Sequence, residues 1–326
     1  MEKMLEADKK CLEWQKAVFD QGMPGVEYNS FEPRAAYGER IREDGVVYVN
    51  DVCFGNEYPN SYLDIWYPDQ NKKVKRPTII YLHGGGFIFG DKVVGDPMAV
   101  GAGRDLDFCA AMTKRGFNAI SANYCFAPEY RFPAQIKQID QMLGYITRHA
   151  EELGLDTDRI FLGGGSAGAA ISEIYGTVLT CPEYAEKLGI TPSIRADQIK
   201  GLLIDEAPLS TAQYDDFMNA LGCCWLGTDK IDEGLVGKLY TAAKWIKDKY
   251  LPSFINASNE DPCFLDSAQQ LADVLEKNGT DHVLFYRDQS YGILKHGYMQ
   301  LYETDENSKA CFDAMMEFVD RQLAKK

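Results

Sequence analysis

Histidine is scarce in this chain, with four residues among 326, and none recurs at the i, i+3 or i, i+4 spacing that metal ligation on one helix face uses. No pair of cysteines shows the CxxC spacing of zinc or redox sites, although the chain holds nine of them. A catalytic metal is therefore not expected, and neither is a cofactor. Positive charge is also in deficit, with 34 Lys and Arg against 49 Asp and Glu and a net charge of −15. Such a surface repels phosphate backbones and anionic lipid headgroups, which excludes nucleic acid as an expected partner. No run of about 18 apolar residues is present, and the opening MEKMLEADKKCLEW lacks the apolar core of a leader. No membrane partner is expected. An odd number of scattered thiols in a chain large enough to fold without staples fits free cysteines in a reducing cytoplasm, the adjacent Cys223 and Cys224 among them as small buried side chains.

Glycine, in contrast, is concentrated. His83-Gly84-Gly85-Gly86-Phe87 and Gly164-Gly165-Ser166-Ala167-Gly168 each follow an apolar, β-rich run. A Gly-x-Ser-x-Gly match arises by accident in roughly one chain in ten of this composition, but His-Gly-Gly-Gly in only roughly three per thousand. The first motif offers backbone N–H donors and the second a nucleophile on a sharp strand-to-helix turn. A phosphate loop is the competing reading of the second, yet it has no Lys, and no acidic ribose ligand follows at the usual distance.

Strand-like runs at 46–54 and 61–67 are followed by buried-strand patterns at 78–82, 117–124, 159–162, 199–204, 253–257 and 282–286, most of them separated by helical segments. This alternation predicts an α/β fold with a mostly parallel eight-stranded sheet, helices on both faces and a helical cap. About 45 residues between the runs at 199–204 and 253–257 exceed one crossover. The expected division is a catalytic core over 46–205 and 251–326, with a cap or lid from 1–45 and 206–250. Within the cap, the first helical stretch breaks around Gly22 and Gly25.

A serine hydroxyl needs a base, and the base needs a carboxylate to orient it. His83 belongs to the glycine run, His149 to a polar helical stretch, and His282 opens a strand. His296 lies after the last strand and before the terminal helix, where a base at the sheet edge is delivered. The loop Asn259-Glu260-Asp261-Pro262 offers two acids, Asp261 being favoured because Pro262 stiffens the turn beside it, and Glu260 staying open as the alternative. The order Ser166, Asp261, His296, each after a strand, is that of the α/β-hydrolase fold.

HGGGF at 83–87, the segment Asn123 to Glu129 with Phe132-Pro133-Ala134, GGGSAG at 163–168, Asp261-Pro262 and His296-Gly297-Tyr298 together resemble the hormone-sensitive-lipase-like group of α/β-hydrolase carboxylesterases. The resemblance runs from about residue 78 to the end. It implies an oxyanion hole of the Gly85, Gly86 and Ala167 N–H groups, Ser166 as nucleophile, and Asp261 and His296 completing the triad. It also implies a cap of N-terminal helices plus an insertion. Gly165 stands where many members carry an acid, and Cys125-Phe126 replaces the usual Arg-Leu. The expected activity is hydrolysis of short acyl esters, acetyl esters above all, of small soluble molecules such as acetylated carbohydrates. Amide hydrolysis by an arylformamidase or peptidase-like relative, and a ligand-binding receptor on the same scaffold, are the alternatives. A homodimer is left open.

Overall fold

In the computed structural model, which describes residues 4–21, 28–33, 38–101 and 105–325, a nine-stranded sheet forms the centre of the molecule. Its strands, numbered along the chain, are β1 (Glu39–Ile41), β2 (Val47–Cys53), β3 (Tyr62–Tyr67), β4 (Pro77–Leu82), β5 (Asn118–Ala122), β6 (Asp156–Gly165), β7 (Ile199–Asp205), β8 (Ser253–Asn256) and β9 (His282–Phe285). The spatial order is β1-β2-β3-β5-β4-β6-β7-β8-β9. The first three pairings are antiparallel and every pairing from β5 to β9 is parallel. The sheet is thus mostly parallel, as expected, with nine strands in place of eight. The additional strand, Glu-Arg-Ile, is three exposed residues at an edge, too short and too polar to show any alternation. It falls within the segment assigned from the sequence to the cap, yet it pairs with β2. The break around Gly22 and Gly25 lies outside the described residues.

Nine helices are described: α1 (Glu6–Asp20), α2 (Asp105–Lys114), α3 (Ala134–Arg148), α4 (Ala167–Thr180), α5 (Pro182–Leu188), α6 (Asp216–Leu226), α7 (Gly234–Tyr240), α8 (Pro262–Lys277) and α9 (Glu306–Ala324). Parallel strands are joined by crossovers, so both faces of the sheet are covered and its strands read as unbroken apolar runs. On one face Phe108 and Met112 of α2 and Phe312, Met315 and Phe318 of α9 pack on Ile79, Tyr81, Phe161 and Phe254. On the other, Ile136, Ile139 and Leu143 of α3, Ile171 and Ile174 of α4, and Leu271 and Leu275 of α8 meet Ile80, Leu162, Leu202 and Ile255.

Helices α1 and α6 pack together beside the loops that follow β4 and β5. Trp14 and Phe217 sit with ring centroids 4.6 Å apart. Gln15 Nε2 donates to the Ile88 carbonyl at 2.5 Å and to the Ala127 carbonyl at 3.0 Å. Trp225 stacks on Phe87 at 3.6 Å, and Arg131 reaches both Asp8 and the Cys224 carbonyl at 2.8 Å. These contacts attach the chain's first helix and its insertion to the end of the sheet that carries the glycine motifs.

Close approach at that end depends on glycine. A Cβ at Gly168 would lie 2.1 Å from the Leu82 carbonyl oxygen, so only a residue without one lets α4 start against the end of β4. Gly168→Ala is expected to destabilise the protein by about 1–3 kcal/mol through overpacking, read as a lower midpoint in chemical denaturation with an unchanged slope. A variant as stable as the parent contradicts that packing.

Candidate active site

Open α/β sheets place their sites beyond the carboxyl ends of the strands, and the chemistry-bearing residues of this chain gather there. A cavity of about 190 Å³ is lined by Gly85, Gly86, Asp96, Ser166, Asp261 and His296, with Phe87, Phe89, Tyr214, Phe217, Met218, Leu221, Tyr240 and Phe264 supplying apolar walls. A larger groove of about 1020 Å³ at the opposite end, beside Asp156, Arg159 and Lys200, contains neither the serine nor His296.

Ser166 occupies the turn between β6 and α4 with φ 51° and ψ −113°, a backbone region that side chains other than glycine rarely adopt. Its N–H donates to the Asp205 carbonyl at 2.8 Å, which ties the strained turn to the end of the neighbouring strand. The next residue along that strand, Glu206, also has positive φ, at 62°, and its N–H donates to the Asn256 carbonyl at 3.0 Å. Two adjacent strand ends thus hold a hydroxyl and a carboxylate in forced conformations. Gly85 and Gly86 lie on the wall, with φ of 105° and 59°. Ala167 begins α4, where N–H groups are free of partners within the helix and the helix dipole is positive.

His296 is brought to the same cavity by the loop after β9. Its Nδ1 lies 2.5 Å from Glu206 Oε2, a short ion-pair contact with the ring N–H off the line to the oxygen. The same Glu206 oxygen accepts the Gly297 N–H at 2.8 Å, and the ring stacks on Phe264 of α8 at 4.6 Å and 7°. Its Nε2 lies 3.3 Å from Asp96 Oδ2. Burial alone lowers the pKa of this imidazole, but the Glu206 and Asp96 carboxylates outweigh it and hold the pKa well above 6.5. The imidazolium therefore stabilises the folded protein fully below about pH 6.5, and that contribution is lost as pH rises through the raised folded value. Behind Glu206, burial and the Glu206 charge push Asp205 up to about 7, although Asn256 at 2.5 Å and Tyr81 at 2.9 Å donate to it.

Asp261, expected from the sequence to orient His296, is instead the N-cap of α8. Its Oδ1 accepts the Cys263 N–H at 3.0 Å, and Pro262 fills the first helical position. It lines the cavity, but the carboxylate on His296 Nδ1 is Glu206, a residue the sequence had placed at the start of the insertion. Glu260 is exposed. The remaining histidines have the roles expected of them. His83 is buried with its Nδ1 2.7 Å from the Gly84 carbonyl, its pKa lowered by burial, while His149 pairs with Glu152 at 3.1 Å and His282 opens β9.

A cluster of three or more His, Cys, Asp or Glu residues suited to a metal ion is absent among the described residues, as is a helix long and apolar enough to cross a membrane. No disulfide is seen among the described cysteines.

Comparison with known proteins bears on the family and the fold. The BD-FAE family model matches residues 63–273. Esterase LipC of Mycobacterium tuberculosis is 21% identical over 55% of this chain and 43% of its own length. Arylacetamide deacetylase of Bos taurus is 32% identical over 50% of this chain and 40% of its own, and the acetyl esterase of Salmonella paratyphi B is 34% identical over 29% and 27%. The chain thus spans less than half the length of each of these relatives. Among solved structures, esterase B from Lactobacillus rhamnosis superposes with a TM-score of 0.73 at 19% identity, covering 98% of this chain and 96% of the other. An esterase from Pyrobaculum calidifontis superposes with 0.63 at 16% identity, over 99% and 97%. The fold is the α/β-hydrolase fold.

Assigning His296 to Glu206 gives a direct spectroscopic expectation. In NMR titrations Glu206→Gln should lower the His296 pKa, because the strongest ion pair is removed, whereas Asp261→Asn should leave it in place. The opposite pattern would restore Asp261 as the partner.

Proposed function

The chain belongs to the BD-FAE family, and on that premise we propose that it is a serine carboxylesterase in which Ser166 is the nucleophile, His296 the base and Glu206 the orienting acid. The observation that carries the reading is the convergence of a strained serine and a carboxylate-bound histidine on one small cavity walled by glycine N–H groups. In its neutral form His296 takes the Ser166 proton on Nε2 as the hydroxyl oxygen attacks the ester carbonyl carbon, so activity rises with pH through the raised His296 pKa. Glu206 stabilises the imidazolium formed. The Gly85, Gly86 and Ala167 N–H groups hold the oxyanion, and the dipole of α4 adds to them. His296 then returns the proton to the departing alkoxide, and a water activated in the same way releases the acid from Ser166. No step needs a metal or cofactor.

The acyl group proposed is short, acetyl first. A cavity of about 190 Å³ lies below the range of pockets that take drug-sized ligands, and aromatic and aliphatic side chains form most of its lining. The relatives named acetyl esterase and arylacetamide deacetylase support the same acyl class. The latter name favours amides of acetate as a second substrate class. The alcohol is proposed to be small and carried in solution, acetylated carbohydrates included. We assign the cap to α1 with α6 and α7, and a reducing, cytoplasmic setting accords with nine cysteines and no disulfide among the described residues.

Two measurements test this. Ser166→Ala should lose on the order of a millionfold in kcat for 4-nitrophenyl acetate, and Glu206→Gln on the order of a thousand- to ten-thousandfold, whereas Asp261→Ala should cost about 1 kcal/mol of stability as a lost helix cap. Near-normal turnover by Ser166→Ala contradicts the esterase reading. Across nitrophenyl esters of increasing length, kcat/KM should fall beyond butyrate; a maximum at octanoate contradicts the short-acyl assignment.

A further inference from the structure

The N–H groups assigned above to the oxyanion are aimed by bonds on the far side of their own peptides. In a trans peptide the N–H points opposite to the carbonyl of the preceding residue, so whatever holds that carbonyl directs the donor. For the Gly85 N–H the carbonyl is that of Gly84. It lies 2.7 Å from His83 Nδ1 and 3.1 Å from the Tyr124 hydroxyl, which also donates to the His83 carbonyl at 2.8 Å. For the Gly86 N–H the carbonyl is that of Gly85. It accepts the Ile88 N–H at 3.1 Å and the Phe89 N–H at 3.2 Å, closing one helical turn over residues 85–89. The aim of the Gly86 donor therefore depends on where Ile88 and Phe89 are held.

Ile88 is held by a side chain from outside the sheet. Gln15, 4% exposed in the middle of α1, donates from Nε2 to the Ile88 carbonyl at 2.5 Å and to the Ala127 carbonyl at 3.0 Å. Both acceptors are carbonyl oxygens, so only the NH2 end of the amide can face them, and its two protons serve one each. Ala127, on the loop after β5, in turn donates its N–H to the Phe87 carbonyl at 3.0 Å. One amide thus joins Ile88, whose N–H holds the Gly85 carbonyl, to Ala127, whose N–H holds the Phe87 carbonyl. The other ties of α1 end elsewhere: Trp14 packs on Phe217 of α6, and Asp8 accepts from Arg131 in the segment before α3.

We propose that Gln15 is a positioning residue for the oxyanion hole, by which the chain's first helix fixes the glycine turn and so aims the Gly86 N–H. The inference rests on the esterase reading above. It gives α1 a part in stabilising the transition state in addition to covering the site. Oxyanion donors act on charge that develops in the transition state, so a turn released from Gln15 should lose kcat and spare KM.

Gln15→Met keeps the length and removes both donors, whereas Gln15→Asn keeps the amide on a stem one methylene shorter, unable to span to both carbonyls. Removing an oxyanion donor outright costs about a hundred- to thousandfold in kcat, and mis-aiming one should cost part of that. For 4-nitrophenyl acetate, kcat per active site should fall about ten- to hundredfold in Gln15→Met and by a smaller factor in Gln15→Asn, with KM within about twofold in both. Sites are counted by end-point titration with a fluorophosphonate, so unfolded molecules are left out of the count. Gln15→Asn decides the question where Gln15→Met yields no folded protein. Methylboronic acid, which forms a tetrahedral adduct with a serine hydroxyl, should bind each variant more weakly by the factor that kcat/KM falls, a readout that lost stability alone does not move. Unchanged kcat per titrated site, a loss confined to KM, or an unchanged boronate affinity overturns the proposal. Ser166→Ala runs alongside, because undiminished ester hydrolysis there would contradict the esterase reading itself and not the placement of Gln15.

Discussion

The hydrogen bond from the Ser166 N–H to the Asp205 carbonyl, 2.8 Å long, is the constraint on which the rest of the site depends. It is the last rung of the parallel ladder between β6 and β7, in which Gly165 faces Asp205. Because the two strands end in register, the residue that follows each is thrown into the positive-φ region at the same height: Ser166 on one and Glu206 on the other. Such conformations are costly and persist only when their surroundings over-determine them. Here the supports are the ladder itself, the Asn256 carbonyl on the Glu206 N–H, and a helix that begins immediately after the serine. The hydroxyl and the carboxylate are thus placed by backbone geometry, and the histidine has only to reach them.

His296 reaches Glu206, and lines the same cavity as Ser166, on a loop anchored at several points. The Val100 N–H donates to the His296 carbonyl at 2.9 Å, the Gly297 N–H donates to Glu206, and Phe264 lies flat on the ring. Asp261 contributes indirectly. By capping α8 it fixes the helix that presents Phe264 three residues later, so the acid expected to touch the imidazole supports the residue stacked on it instead. A buried pair of neighbouring acids, Asp205 and Glu206, could have split the negative charge between them. Burial, together with the Glu206 charge, pushes Asp205 towards its neutral form.

Much of this was legible in the residues. Apolar runs without alternation marked the parallel strands, and two glycine-flanked motifs marked the nucleophile and the donor loop. His296 was separable from three other histidines by its position alone. Glu206 was not found, because it follows its strand with no intervening loop, and a carboxylate after Ile-Asp reads as the polar edge of an insertion. Asp-Pro at 261–262 drew attention for the opposite reason. Proline after aspartate stiffens a turn, but the same pair is a helix start, with the acid as cap and the proline at the first position, and that is the use made of it here. The edge strand β1 was missed because three exposed residues have no period.

The central claim is that Ser166 is activated by a histidine bound to Glu206. The most direct measurement is the rate at which a fluorophosphonate labels Ser166, located by peptide mapping, in the wild type, Glu206→Gln and Asp261→Asn. Labelling on Ser166 that slows by orders of magnitude in Glu206→Gln and persists in Asp261→Asn is the predicted result. Loss of labelling in Asp261→Asn with retention in Glu206→Gln, or a label on any other residue, would contradict it.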